Sequence, residues 1–242
     1  MNTDSNSKAA CYFSLNDRST ERVSLIHREY TEEVQAHFQG LFPARQCVII
    51  QDESDCPLPI DLAVMYPTEE EPFYLVYTLG MSAAPMKYPA GPEMPEGRES
   101  YSELCIILPA DWSLAAHGQI DVSAQHNWPL AMLRSLAKFP HVHQLWMSYG
   151  FVLPNSENGE TFAPDTELSG VLIVQFEGEL GELHMADGAV VQILMPVLLY
   201  KDELDLYDEI GPDTLLDHIL DCTDGSFMLN VKRPDTAKLT GF

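Results

Sequence analysis

Apolar residues along this chain fall into two rhythms. Val23, Ile26, Tyr30, Val34, Phe38 and Leu41 recur at three- and four-residue steps, which puts them on one face of a helix. Ser19 or Thr20 is placed to cap its start, and Gly40 with Pro43 to end it. A second helix is predicted from Asn127-Trp128-Pro129, with Asn127 as N-cap and Leu130, Leu133, Leu136 and Ala137 as the buried stripe. A third runs over 212–222, with Leu215, Leu216, Ile219 and Leu220 inward and Gly225 beyond its end. The other rhythm is strand-like, over 47–50, 60–66, 74–79, 104–108, 170–176, 189–194 and a closing run at 227–231. In 170–176 and 189–194 the apolar positions are nearly consecutive, as in strands buried on both faces. The prediction is therefore α+β: a mixed, largely buried β-sheet flanked by helices, in a single domain. Residues 1–16 read as a loose lead-in and 17–242 as that domain. Prolines 85, 89, 92 and 95 mark a long loop, a feature often tied to function.

Composition narrows the function. The 242 residues carry 13 Lys+Arg against 37 Asp+Glu, a formal charge of -24, yet 45% are hydrophobic. Too few cations remain to bind a phosphate backbone or an anionic membrane surface, so nucleic acid and membrane are excluded as partners. A basic protein is the partner this balance favours. From Phe139 to Val231 there are 17 acids and one base, Lys201. Two groups stand out: Glu177, Glu179, Glu182 and Asp187 around one turn, and Asp202, Glu203, Asp205, Asp208 and Glu209 around a short helix. They form either a face for a cationic partner or a solvated surface that confers solubility. Five cysteines without a CxxC pair, and a polar N-terminus, lead to the expectation of reduced thiols and a cytoplasmic location.

Enzyme signatures are scarce. No GxSxG elbow, phosphate loop, GxGxxG or HExxH occurs, so no enzyme, cofactor or metal is expected. His141 and His143 alternate as strand-borne metal ligands would, but lack a third partner nearby in sequence. Glu33 and His37, one helical turn apart, read as a surface pair, and His184 among acids reads as incidental. A hydrolase assembled from scattered acids and histidines is the reading from another class. Cys105, within a strand run, and Cys222, near a helix end, read as buried structural thiols. Trp112 and Trp128 read as anchors of a loop or helix on the core.

Several motifs together resemble the Suppressor of fused family. They are Phe73-Tyr74-Leu75-Val76-Tyr77-Thr78-Leu79 leading into Gly80-Met81-Ser82, then Glu103-Leu104 opening a strand. Trp128-Pro129 with Leu133 and Leu136-Ala137 follows, and last come residues 188–194 with Glu203-Leu204 and Leu215-Leu216. The similarity runs in order over about residues 55–234. It implies a binding protein, not a catalyst. The family's animal members hold zinc-finger transcription factors in Hedgehog signalling, gripping an extended peptide between this domain and a second one. The present chain ends shortly after the first domain, so that clamp is not expected within one copy. Single-domain relatives in bacteria include many that resemble immunity proteins encoded beside secreted toxins. The resemblance therefore implies an antitoxin for a basic toxin, with a regulatory scaffold that captures a partner through an added β-strand as the alternative. Gly80, Met81, Ser82, Trp112, Trp128 and Pro129 are its motif residues, with a structural role or a place at a groove edge. For Gly80-Met81-Ser82 the structural role is the expectation: glycine permits the bend, and serine satisfies backbone groups.

Overall fold

Neighbouring residues of the central strands point to opposite faces of a sheet whose two sides are both apolar. The computed structural model describes residues 27–54, 56–88, 99–116 and 119–239. Its elements begin with α1 (Tyr30–Leu41), β1 (Cys47–Ile50), β2 (Asp61–Met65), β3 (Phe73–Leu79), β4 (Met86–Lys87) and β5 (Glu99–Pro109). The small pair β6 (Ala115–Ala116) and β7 (Gln119–Ile120) leads into α2 (Trp128–Val142). Then come β8 (Val152–Pro154), β9 (Leu168–Gln175), β10 (Glu182–His184), β11 (Val190–Tyr200) and α3 (Lys201–Cys222). Among the described residues nine strands form one sheet in the order β1-β2-β3-β5-β11-β9-β8, with β4 beside β5 and β10 beside β11. The β5–β11 pairing is parallel and the others are antiparallel, so the sheet is mixed, as expected.

Leu62, Val64, Val76, Leu104, Ile106, Val171, Ile173, Leu194 and Leu198 pack on one side, under α2. The alternate residues Ala63, Met65, Leu75, Tyr77, Cys105, Leu172, Val174, Ile193 and Leu199 pack on the other, with α1 and α3. That alternation explains the consecutive apolar runs. It yields two cores, each covered by helix.

The structure revises several boundaries. Ser19, Thr20, Val23 and Ile26 lie outside the described residues, as do the 1–16 lead-in and positions 89–98 of the proline-rich loop; the described part of α1 starts at Tyr30. The run predicted at 189–194 continues to Tyr200, carrying Pro196 beyond the last parallel partner, Leu194↔Leu104. Helix α3 starts at Lys201 and is broken at Gly211 (φ 76°, ψ 173°), so a second helical segment begins at Pro212 as predicted. Asn127 does not cap α2: its amide donates to the carbonyls of Leu114 and Asp121, tying down the preceding loop. The closing strand at 227–231 is absent. Leu229 N–H makes one bond to Ile107 O, and the chain then turns so that Arg233 enters a buried ion pair with Glu203. No helix among the described residues is long and apolar enough to cross a membrane.

Candidate functional site

Strand β11 shows how the site is built. Its Leu194 pairs with Gln175 at the end of β9, and its Gln192 pairs with Glu182 at the start of β10. Six residues, 176–181, therefore stand against a single β11 residue, Ile193, whose N–H bonds Gly181 O. An otherwise continuous strand has extruded a loop, and glycine makes that fit feasible. A Cβ on Gly181 would lie 1.6 Å from Phe176 O, closer than any side chain tolerates. The loop leans on α1: His37 Nε2 bonds Glu179 O at 2.7 Å, Ala186 N–H donates to Glu33, and Tyr30 O–H donates to Asp187 at 2.6 Å. Glu33 and His37 thus do not pair with each other; each fastens the same hairpin from a different point.

Where the loop leaves the sheet, an open cleft of about 410 Å³ is lined by Tyr149, Gln175, Phe176, Glu177, Gly178 and Glu182. Tyr149 is 42% exposed. Its hydroxyl donates to Asp213 of α3. Partial burial, with that bond and the nearby charges of Asp213 and Asp217, pushes its pKa up to about 12. Phe176 packs edge-on against Phe227, ring centroids 4.8 Å apart. The cleft thus joins two aromatic walls to carboxylates from two elements. Leu180, 47% exposed, belongs to the same loop.

The first predicted acidic group holds together: Glu177, Glu179, Glu182 and Asp187 are all exposed on this hairpin, and Glu177 and Glu182 line the cleft. The second divides. Asp205, Asp208 and Glu209 are exposed on the first half of α3, while exposed Asp202 pairs with Lys238 at 3.2 Å. Glu203 is wholly buried and cannot belong to a docking face. Arg233 grips it through both terminal nitrogens, and the N–H groups of Tyr200 and Thr236 and the Thr236 hydroxyl also donate to it. It ties the C-terminal segment to the start of α3. Asp213, Asp217 and Asp221, spaced four apart and exposed on α3, were missed as a group because they are scattered in sequence. Their helical spacing was the available signal.

The family-motif residues lie elsewhere. Gly80, at φ 119°, turns the chain out of β3, and a Cβ there would stand 2.6 Å from Pro59 O. Beyond it the N–H groups of Gly80, Met81 and Ser82 and the hydroxyls of Ser82 and Thr78 all donate to Glu103, which has no solvent exposure. Burial pushes the Glu103 carboxyl up, against the pull of the Ser82 and Thr78 bonds. Met81 is buried, and its backbone bonds His141, whose own burial pushes its pKa down to about 4. Ser82 and Glu103 are both sealed from solvent, and their bonds tie the turn after β3 to β5. Trp128 stacks on Phe162 (5.4 Å) and meets Trp112 edge-on (6.3 Å), while Trp112 Nε1 donates to His126 O and Pro129 is buried in the first turn of α2. Among the described residues no group of three or more His, Cys, Asp or Glu could hold a metal.

Comparisons with known proteins agree on the architecture. A family model described as Suppressor of fused protein matches residues 57–234. The crystal structure of a Suppressor of fused homologue from Neisseria gonorrhoeae aligns with TM-score 0.56 at 16% identity, covering 86% of this chain and 97% of that one. Drosophila Suppressor of Fused aligns at 0.61 and 16% identity over 86% of this chain, which spans only 51% of the fly chain. A chain of a Sufu–Fu complex aligns at 0.55 and 15% identity, covering 90% of this chain and 94% of that one. No curated protein matches the sequence.

Proposed function

The chain belongs to the Suppressor of fused family, and we propose that it is a non-enzymatic protein-binding domain that neutralises a basic protein partner, in the manner of an immunity protein for a toxin. One observation carries this reading. Glu177, Glu179, Glu182 and Asp187 share a hairpin fastened to α1, and the cleft at its base brings in Asp213. The only base between Phe139 and Val231 is Lys201, whose side chain lies along Gly159. Such a face steers a cationic surface towards it and repels anionic ones. That a related chain was crystallised as a Sufu–Fu complex supports a protein as the partner.

The experiment is affinity capture of the partner from the native cell, followed by co-expression. A basic partner whose association slows as salt rises, and whose toxicity to a test cell is relieved by this chain, is the expected result. A partner that associates at a salt-independent rate overturns the acidic-face reading. A partner that is basic but harmless replaces immunity with the second reading, regulatory sequestration through an added strand. That reading draws on β1, an edge strand with Val48 exposed.

A further inference from the structure

The cleft at the base of the hairpin has a more specific chemistry than its charge. Its volume, about 410 Å³, falls within the range of small-ligand sites. Tyr149 and Phe176 offer aromatic surface, Glu177 and Glu182 stand at its rim, and the Tyr149 hydroxyl is held by Asp213. Among the described residues, ion pairs occupy Arg45 (with Glu71), Lys138 (with Asp52), Arg233 (with Glu203) and Lys238 (with Asp202 and Asp235); none reaches Glu177 or Glu182. Among the described residues, then, no ion pair supplies the cleft carboxylates with a counter-charge. A planar cation satisfies it best: guanidinium stacks on aromatic rings and presents a fork of donors that matches a carboxylate, whereas ammonium is a strongly hydrated point charge.

We propose that the Tyr149–Phe176 cleft receives an arginine side chain presented by the protein partner. The inference rests on the reading of a basic partner and names the residue by which that partner is anchored. Buried arginines and aromatics carry a disproportionate share of interface energy, so one seated side chain would fix the register of the surrounding acidic face.

The test uses the full chain and the capped tripeptide acetyl-Gly-Arg-Gly-amide, followed by NMR, with the lysine and citrulline tripeptides as controls. Saturable shifts of the Tyr149 ring and the Gln175 side-chain amide are expected with the arginine peptide, weaker ones with lysine, and none with citrulline. Tyr149→Ala, and separately the pair Glu177→Gln and Glu182→Gln, should each weaken binding at least tenfold. The glutamine pair alters only exposed side chains and guards against a folding defect in Tyr149→Ala. Equal binding of citrulline, no saturable shift at the cleft, or shifts centred on Asp217 and Asp221 would overturn the proposal. The third of these results would still leave a basic partner for the acidic face. Conversely, arginine seated in the cleft alongside a captured partner that is not basic would sink the proposed function and leave the cleft assignment intact.

Discussion

The carboxylates of α3 offer a test in which stability and binding should move in opposite directions. Asp213, Asp217 and Asp221 follow one another at four-residue steps and are exposed, and the last turn of the helix carries no basic residue. Like charges at that spacing each cost about 0.2–0.5 kcal/mol, and opposite charges return a similar amount. Asp217→Lys removes two repulsions and adds two attractions, one in the favourable acid-before-base order, and it places a cation nearer the helix C-terminus. The four terms together come to about 1–2 kcal/mol at low ionic strength. In a chain of this length, that corresponds to a rise in melting temperature of roughly 2–8 °C. Asp217→Asn removes only the repulsions and should give about half the gain. Urea unfolding at 20 mM and 1 M NaCl is the assay, because salt at 1 M screens over about 3 Å and should erase most of the difference. Association of the lysine variant with the proposed basic partner should slow over the same low-salt range. A lysine variant that is neutral or destabilised at low salt would refute the claim that these carboxylates are kept at a cost to the fold. A stabilised variant that binds normally would remove α3 from the docking face.

Three further outcomes follow from the buried polar groups. Glu103→Leu leaves the N–H groups of Gly80, Met81 and Ser82 without an acceptor; at about 1–3 kcal/mol each, the chain should fail to fold at 37 °C, while Glu103→Gln, which keeps an acceptor oxygen, should fold with reduced stability by urea titration. Arg233→Met strands the buried Glu203 carboxylate and should cost about 3–5 kcal/mol, and adding Glu203→Leu should recover part of that loss in the same assay. His141 is held neutral in the fold, with a pKa pushed down to about 4 by burial, so the unfolded chain binds more protons below pH 6.5. Its contribution is whole above that pH and is lost as pH falls to 4, by about 3 kcal/mol at 1.36 kcal/mol per unit. Stability of the wild type measured against His141→Leu across pH 4–7 should show that slope, and parallel curves would refute it.

What the sequence made legible was what local rules decide. The two-faced apolar runs identified buried strands, Trp128-Pro129 marked the start of α2, and the glycine-punctuated run at 177–182 marked a turn. Less legible were features set by distant partners. Glu203 looks like any surface acid in an acidic stretch, and only Arg233, 30 residues on, brings it inside. Tyr149 and Asp213 lie 64 residues apart and meet because Tyr149 precedes β8 at the sheet edge, where α3 passes. The run from Phe227 to Val231 had the composition of a strand, but the short reach back to Glu203 bends it away after a single bond to β5. Each miss is a case of tertiary geometry overriding local propensity.

The disposition of the few cations ties the fold to the function. Arg45 and Arg233 are buried, Lys138 is largely covered in its pair with Asp52, and Arg134 donates to the carbonyls of Ile50 and Ile60. These positive charges brace the interior and its margins, so they cannot also neutralise the hairpin and α3. Among the described residues, Asp202 finds Lys238, while no ion pair reaches Glu177, Glu179 or Glu182, so mobile ions are their available counter-charge. Mobile ions supply it diffusely, and a protein that brings fixed cations displaces them, relieves the mutual repulsion and meets a hairpin already fastened to α1. Because the hairpin is pre-ordered by three hydrogen bonds, little conformational entropy remains to be lost on docking. On the proposed reading, the internal use of scarce cations accounts both for the buried braces and for a face whose charge a basic protein would complete.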